Sequence, residues 1–369
     1  MSEQFERLSR LPLREDLRGK HPYGAPQLDV PILLNVNENT HGVPDDVRQA
    51  IVDAVSREVG GLNRYPDREF PELRTNLARY LGHGLTPENL WAANGSNEVL
   101  QHLLQAFGGP GRSAIGFPPT YSMYPLLASS TGTRYIAGQG NDRFELSAAD
   151  AAREVRESGA NLVFLCSPNN PTGSALGLDV VEAVYEAGSD AQAIVIVDEA
   201  YAEFAHAGTV SALSLLAGRE RLVVSRTMSK AFAMAGTRLG YLAAAPEVAD
   251  ALRLVRLPYH LSAITQAAAN AALTHSDRLL ANVENIKVQR DRIVTSLQHL
   301  GLTPVPSDAN FVLFGGLDDP HRIWQGLLDG GVLIRDVGIP GHLRVTAGTE
   351  TETTVFLDTL GALLEGTVS

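Results

Sequence analysis

Between about residues 90 and 245 the chain repeats one pattern: a short unbroken apolar run, a polar cluster, then an amphipathic stretch. The runs are LWAAN (90–94), SAIGF (113–117), LVFLC (162–166), AIVIV (193–197) and LVVS (222–225). A strand with one wet face alternates apolar and polar residues, whereas an unbroken run has to be covered on both faces. With helical stretches between the runs, the fold that does this is a mostly parallel sheet sandwiched by helices. The chain is therefore expected to be α/β over its middle.

The flanks read differently. Residues 1–45 are rich in Pro and Asn and suggest an extended arm. Residues 46–59 place Val47, Ile51, Ala54, Val55 and Val59 on one helical stripe. Beyond about 265 come long helical stretches, then strand-like NFVLF (310–314) and GVLIRDV (331–337), with a third candidate in HLRVT (342–346). These predict a smaller α+β lobe, with boundaries at 1–45 (arm and part of the small domain), 46–265 (large domain) and 266–369 (small C-terminal domain). A length of 369 residues suits such a bilobal unit.

Composition removes several classes of function. A net charge of −12 argues against a nucleic-acid surface, which needs a basic patch. The single cysteine, Cys166, excludes an internal disulfide and any multi-cysteine metal site, and no metal is expected. It ends a buried run and reads as a core residue. The first residues contain no apolar signal core, and no run approaches the ~20 residues that span a bilayer. The expectation is a soluble, cytoplasmic protein with no membrane partner.

The polar cluster at the end of each run is more telling. In an open parallel sheet the C-terminal strand ends share one edge, where ligands bind. Gly95-Ser96-Asn97, Pro118 to Tyr121, Ser167 to Gly173, Asp198 to Tyr201 and Arg226 to Lys230 should therefore converge on one crevice. Each cluster alone has a plainer reading. Gly-Ser-Asn before a helix can be only an N-cap, or an anion site with free amides and a helix dipole. Asn-Pro-Thr-Gly can be only a turn. Asp198 can cap the next helix, and Tyr121 and Tyr201 can be packing residues.

Lys230 resists a plain reading. The chain has 30 basic residues and only three are lysines, Lys20, Lys230 and Lys287. The outer two lie in polar stretches, but Lys230 lies in SRTMSKAFAMAG, among small and apolar residues. An amine there loses part of its charge and becomes nucleophilic, which arginine cannot do. A reactive amine, a carboxylate, an asparagine, two tyrosines and a helix-start anion cradle together suit pyridoxal phosphate. The amine bonds to its aldehyde, and the carboxylate keeps its ring nitrogen protonated.

These residues carry a resemblance. NRYPD, WAANGSNE, PPTYSMY, SPNNPTG, IVDEAYAEF, RTMSKAFAMAGTRLGY, ANFVLF and LRVTAG resemble the aspartate-aminotransferase superfamily, the fold-type I enzymes that use pyridoxal phosphate. Within it, NEN at 37–39, RYPD, DEAYAEF and the C-terminal arginine pair are similar to the histidinol-phosphate aminotransferases. The resemblance spans essentially the whole chain and implies a large domain with a mostly parallel sheet between helices, plus a smaller α+β domain.

It also implies roles. Lys230 is then the cofactor lysine and Asp198 the partner of the pyridine nitrogen. Asn170 and Tyr201 bond the ring hydroxyl, and Tyr121 stacks on the ring. Ser96, Asn97, Thr227, Ser229 and Arg238 face the phosphate. Tyr65 reaches it from a second subunit, so a homodimer with shared sites is implied. Tyr23, Asn37, Asn170, Arg335 and Arg344 hold substrate, with histidinol phosphate and 2-oxoglutarate or glutamate as the small-molecule partners. Lys230, Asp198 and Tyr201 are the catalytic set. Three alternatives share some of these features: an aromatic (phenylalanine) aminotransferase, a phospho-amino-acid decarboxylase of the same fold, and a pyridoxal-phosphate-binding transcription regulator. The last needs a basic domain for which this chain has no room. One departure stands beside the substrate residues: relatives continue Asn-Glu-Asn with proline, but here Asn39 is followed by Thr40-His41.

Overall fold

The structure, a computed structural model, describes residues 10–19, 24, 26–141 and 143–366. Strand β1 (Ile32–Leu33) precedes the main sheet, which is built from β2 (Leu90–Ala93), β3 (Ser113–Gly116), β4 (Arg134–Ala137), β5 (Leu162–Cys166), β6 (Ile194–Asp198), β7 (Leu222–Thr227) and β8 (Gly240–Ala244). Its order is β2-β8-β7-β6-β5-β3-β4, and only β8 runs against its neighbours. Every residue of β2, β3, β5, β6 and β8 is buried, as a sheet covered on both faces requires.

All five expected runs are strands, but two end later than the apolar letters do. β6 continues through Asp198 and β7 through Thr227, so these polar residues still belong to the ladder. Register then sets Cys166 beside Asp198 and Asp198 beside Ser225 across three strands. Two strands lie outside the expected set. RYIA in β4 is a half-exposed edge, and GYLAA in β8 is a fully buried run that follows the lysine loop.

Helix α1 (Asp45–Val59) buries Val47 and Ala54, with Ile51 and Val55 half-buried. Val59, in the last turn of the helix, departs from the expected stripe: it is 55% exposed. Helix α2 (Pro71–Leu81) follows, then α3 (Ser96–Phe107) and α4 (Met123–Ser130), which both start at the C-terminal edge of the sheet. The long stretch after 262 is three helices, α5 (Ala263–Thr274), α6 (Ser276–Leu280) and α7 (Val283–His299), interrupted near His275 and Asn282. Helix α5 covers α1 and α2.

A smaller antiparallel sheet, in the order β12-β10-β9, contains β9 (Thr303–Pro304), β10 (Phe311–Gly315) and β12 (Leu343–Thr346). The expected strand at 331–337 shrinks to β11 (Val332–Leu333), which pairs with β1 in parallel. Arg335 leaves that pairing and instead bridges Arg344 through both backbone bonds, each 2.9 Å. Next to β1, the amide of Leu34 donates to the Leu333 carbonyl and the Leu34 carbonyl accepts from the Thr346 amide. The segment after β1 is thereby held against the C-terminal strands and led to the edge of the main sheet. No described helix is long and apolar enough to cross a membrane.

Candidate active site

The C-terminal ends of β2, β3, β5, β6 and β7 open into a crevice of about 460 Å³. All five expected clusters line it, and residues 35–38 and the 335–344 hairpin close the opposite wall.

Lys230 projects from the loop after β7. Its Nζ donates to the Val36 carbonyl at 3.0 Å and lies 5.8 Å from the centre of the Tyr201 ring. Burial, and then the Arg344 and Arg238 guanidinium groups, bring the ammonium down to about 8, while Glu38 acts in the opposite sense. The expected weakening of its charge is present. A good fraction of this amine is neutral at mildly alkaline pH, so it can act as nucleophile or base.

Asp198 is 2% exposed at the end of β6. Burial pushes its carboxyl up, and two donors work against that: Ser225 Oγ and Tyr124 Oη, each at 2.9 Å. Neither donor is recognisable in sequence. Ser225 is identified only by strand register, and Tyr124 looks like a packing aromatic, which it also is, stacked on Phe164 at 4.6 Å. Cys166 is buried as expected, yet its flank lines the crevice floor; burial pushes its thiol up to about 12, which leaves it unreactive.

The anion cradle forms where β2 turns into α3. Gly95 sits at φ +83°, and a Cβ there would lie 2.6 Å from Arg238 Nη2, so only glycine lets the guanidinium close over the turn. Gly240, on β8, leaves room for the Ser96 amide in the same way. The first amides of α3 have no intrahelical acceptor and carry the positive end of its dipole. Thr227, Ser229 and Arg238 line the same crevice; Thr227 Oγ1 donates to Ser229 Oγ at 3.0 Å. Tyr121 is half-buried, and its hydroxyl donates to Asn97 Oδ1 at 3.1 Å.

On the opposite wall, Arg344 Nη1 donates to Asn170 Oδ1 at 2.5 Å and Nη2 to the Asn35 carbonyl at 2.8 Å. Arg335 lines the crevice beside it. Asn37 is 2% exposed; it donates to Tyr201 Oη at 3.1 Å and accepts from Thr346 Oγ1 at 3.1 Å. Burial pushes the Tyr201 phenol up to about 12, with Arg344 and Asn37 opposing. Thr40 and His41 do not face the crevice: Thr40 bonds Glu352, and the His41 amide donates to Asn39 Oδ1 at 2.9 Å.

Two expected residues are not part of this assembly. Tyr65 is 80% exposed, away from the crevice, and stacks on Tyr259 at 4.4 Å. Tyr23 lies outside the described residues.

The donor set fits pyridoxal phosphate. One end has free helix amides, two hydroxyls and an arginine for a phosphate. The buried carboxylate of Asp198 suits a pyridinium nitrogen, and an amine with a lowered pKa shares the crevice with Arg238 and Arg344. The glycine positions keep the cradle open at backbone level.

Comparison with known proteins agrees. The family described as aminotransferase class I and II matches residues 29–360. The histidinol-phosphate aminotransferase of Paenarthrobacter aurescens (strain TC1) is 75% identical over 100% of this chain and 99% of its own. That of Frankia casuarinae is 56% identical over 97% and 91%. Among solved structures, the histidinol-phosphate aminotransferase of Sinorhizobium meliloti in complex with pyridoxal-5'-phosphate superposes with a TM-score of 0.82 at 26% identity, covering 92% of each chain. The aspartate aminotransferase of Thermus thermophilus with maleate gives 0.77 at 26%, covering 90% and 91%. This chain belongs to the aminotransferase class I and II family, and within it to the histidinol-phosphate aminotransferases.

Proposed function

We propose that the chain transfers an amino group from L-histidinol phosphate to 2-oxoglutarate, yielding imidazole acetol phosphate and glutamate, as a step of histidine biosynthesis. The observation that carries this reading is a single amine, Lys230, set in the crevice between two anion-seeking groups. Arg238 beside the start of α3 suits the cofactor phosphate, and the Arg335–Arg344 pair suits an anionic substrate.

When bound, pyridoxal phosphate supplies a ring that accepts the electron pair released at the substrate α-carbon. The residues that would hold it are Lys230 at its aldehyde, Asp198 at the ring nitrogen, Asn170 and Tyr201 at the ring hydroxyl, and Tyr121 on its face. Ser96, Asn97, Thr227, Ser229 and Arg238 would hold the phosphate. Once the donor's own amine takes its place at the aldehyde, Lys230 Nζ would be free to remove the proton from the substrate α-carbon and to return it as general acid, which a group with a pKa near 8 can do in both directions. Arg335 and Arg344, with Asn37, Asn170 and Tyr23, orient the donor; a guanidinium fork accepts the phosphate of one substrate and the carboxylate of the other. One site then serves both substrates in turn, in ping-pong order.

The active form in this reading is a cytoplasmic homodimer. Tyr65 and Tyr259 lie among exposed apolar residues, Leu62 at 52%, Leu254 at 86% and Leu257 at 74%, a surface suited to burial against a second copy. From there Tyr65 would reach the partner's cofactor phosphate.

The test is a coupled assay with 2-oxoglutarate as acceptor, comparing L-histidinol phosphate with phenylalanine. A higher kcat/KM for histidinol phosphate is expected. Preference for phenylalanine would overturn the reading in favour of an aromatic aminotransferase.

A further inference from the structure

We propose that the Glu38 carboxylate receives the imidazole ring of the amino donor and thereby selects an N–H-bearing or cationic ring over a plain aromatic one. The proposal rests on the histidinol-phosphate reading above and deepens it.

Three carboxylates line the crevice among the described residues: Glu38, Asp198 and Asp336. Two are committed. Asp198 is taken by Tyr124 and Ser225, and Asp336 Oδ1 accepts from the Gly338 amide at 2.8 Å. Glu38 is exposed, and its carboxylate has no hydrogen bond among the described residues.

Its backbone is nonetheless fixed on both sides. Asn37 is tied to Tyr201 and Thr346, Asn39 Nδ2 donates to the Ala231 carbonyl at 3.2 Å, and Thr40 bonds Glu352. The Glu38 carbonyl itself accepts from Asn310 Nδ2 at 3.4 Å. The substitution of Thr40-His41 for the family's usual proline thus keeps this stretch rigid by a side-chain bond to Glu352. Glu38 is presented from a segment bonded on both sides, which lowers the entropy lost on ligand capture.

Position supplies the rest. Lys230 Nζ bonds the Val36 carbonyl, two residues before Glu38, and Glu38 and Lys230 line the same crevice, so Glu38 lies near the atom that the donor's α-carbon must approach. The donor's phosphate is drawn to the Arg335–Arg344 side, which leaves its ring as the group available to Glu38. An imidazole has a pKa near 6.5 and offers N–H donors in either charge state, while an ionised carboxylate only accepts. A phenyl ring offers nothing and would leave the carboxylate desolvated without a partner.

Single half-reactions of the cofactor-loaded protein test this, with L-histidinol phosphate or glutamate as donor and the cofactor's absorbance as the signal. In Glu38→Gln, kcat/KM for histidinol phosphate should fall roughly ten- to a hundred-fold, mainly through weaker saturation, and further in Glu38→Ala. The glutamate half-reaction should fall much less, because it loses only what passes through Lys230; retention of the bound cofactor's absorbance reports that the variant is folded. Equal losses with both donors would mean that Glu38 acts only through Lys230, and no loss with either would mean that it touches neither; both overturn the proposal. A wild type that reacts with glutamate but not with histidinol phosphate would instead overturn the function proposed above.

Discussion

Tyr124→Phe removes one oxygen from the protein and should weaken its grip on the cofactor severely. The phenol donates to Asp198 at 2.9 Å, and the ring stacks on Phe164. Phenylalanine keeps the stacking and the volume, so packing should change little. The loss is one hydrogen bond to a buried carboxylate, worth about 1.5–3 kcal/mol when the acceptor is charged. At 1.36 kcal/mol per unit this raises the Asp198 pKa by about one to two units, on top of the upward push from burial. A carboxyl that is protonated more of the time is a poorer counter-ion for a pyridinium nitrogen. Cofactor affinity, followed by absorbance titration, should drop roughly ten- to a hundred-fold. A double-mutant cycle isolates the route. In an Asp198→Asn background the same Tyr124→Phe change should cost less than about 0.5 kcal/mol, because there is no charge left to stabilise. An equal loss in both backgrounds would refute the reasoning and make Tyr124 a packing residue.

Lys230 should be the site at which borohydride fixes the cofactor, and Lys230→Ala should be colourless and inactive; label on Lys287 or Lys20 would contradict the assignment. In the cofactor-free protein Lys230 should react with amine reagents with a midpoint near pH 8. Because its folded pKa lies below the unfolded value of about 10.4, the cost of burying its charge is present below pH 8 and is relieved as pH rises from about 8 to 10. Cofactor-free Lys230→Met should accordingly have a higher Tm than wild type at pH 7, and the gap should narrow by pH 10. Arg335→Ala should lower kcat/KM for histidinol phosphate by about one to two decades and that for neutral histidinol far less; equal losses would make the arginine structural. Mixing Lys230→Ala with Tyr65→Ala subunits should restore part of the activity if Tyr65 serves the partner's site, and no restoration despite verified subunit exchange would count against it.

Much of the crevice was legible because its residues follow unbroken apolar runs, and such runs end at one sheet edge. The same logic has a blind side. Asp198 and Thr227 lie inside their strands, since polarity at a sheet edge does not end hydrogen bonding. Ser225 has no signal of its own, because only the register of β6 against β7 gives it a partner. Tyr124 is hidden by its double use as packing aromatic and donor. Residues of β4 are half-exposed and so lack the continuous pattern that marks the others, whereas β8 is as apolar and buried as they are but has no polar cluster of the site at its end. The arginine pair comes in by resemblance alone; the backbone bridge that sets Arg335 beside Arg344 is a tertiary fact. Val59 is misplaced because helical spacing says nothing about how far along a helix its packing extends.

The tie between the segment after β1 and the C-terminal strands sets a schedule for biosynthesis. Asn37 and Thr346, joined by a side-chain bond, are 309 positions apart. At about 5–20 residues per second, the ribosome adds the second of them roughly 15–60 s after the first. Through that interval the main sheet can form, but the wall carrying Val36, Asn37 and Arg344 cannot. A nascent chain therefore lacks the crevice until almost its whole length has been made, and contacts of such long range are slow to close. Capture of the cofactor in the complete crevice therefore has to wait until both ends of the chain have met.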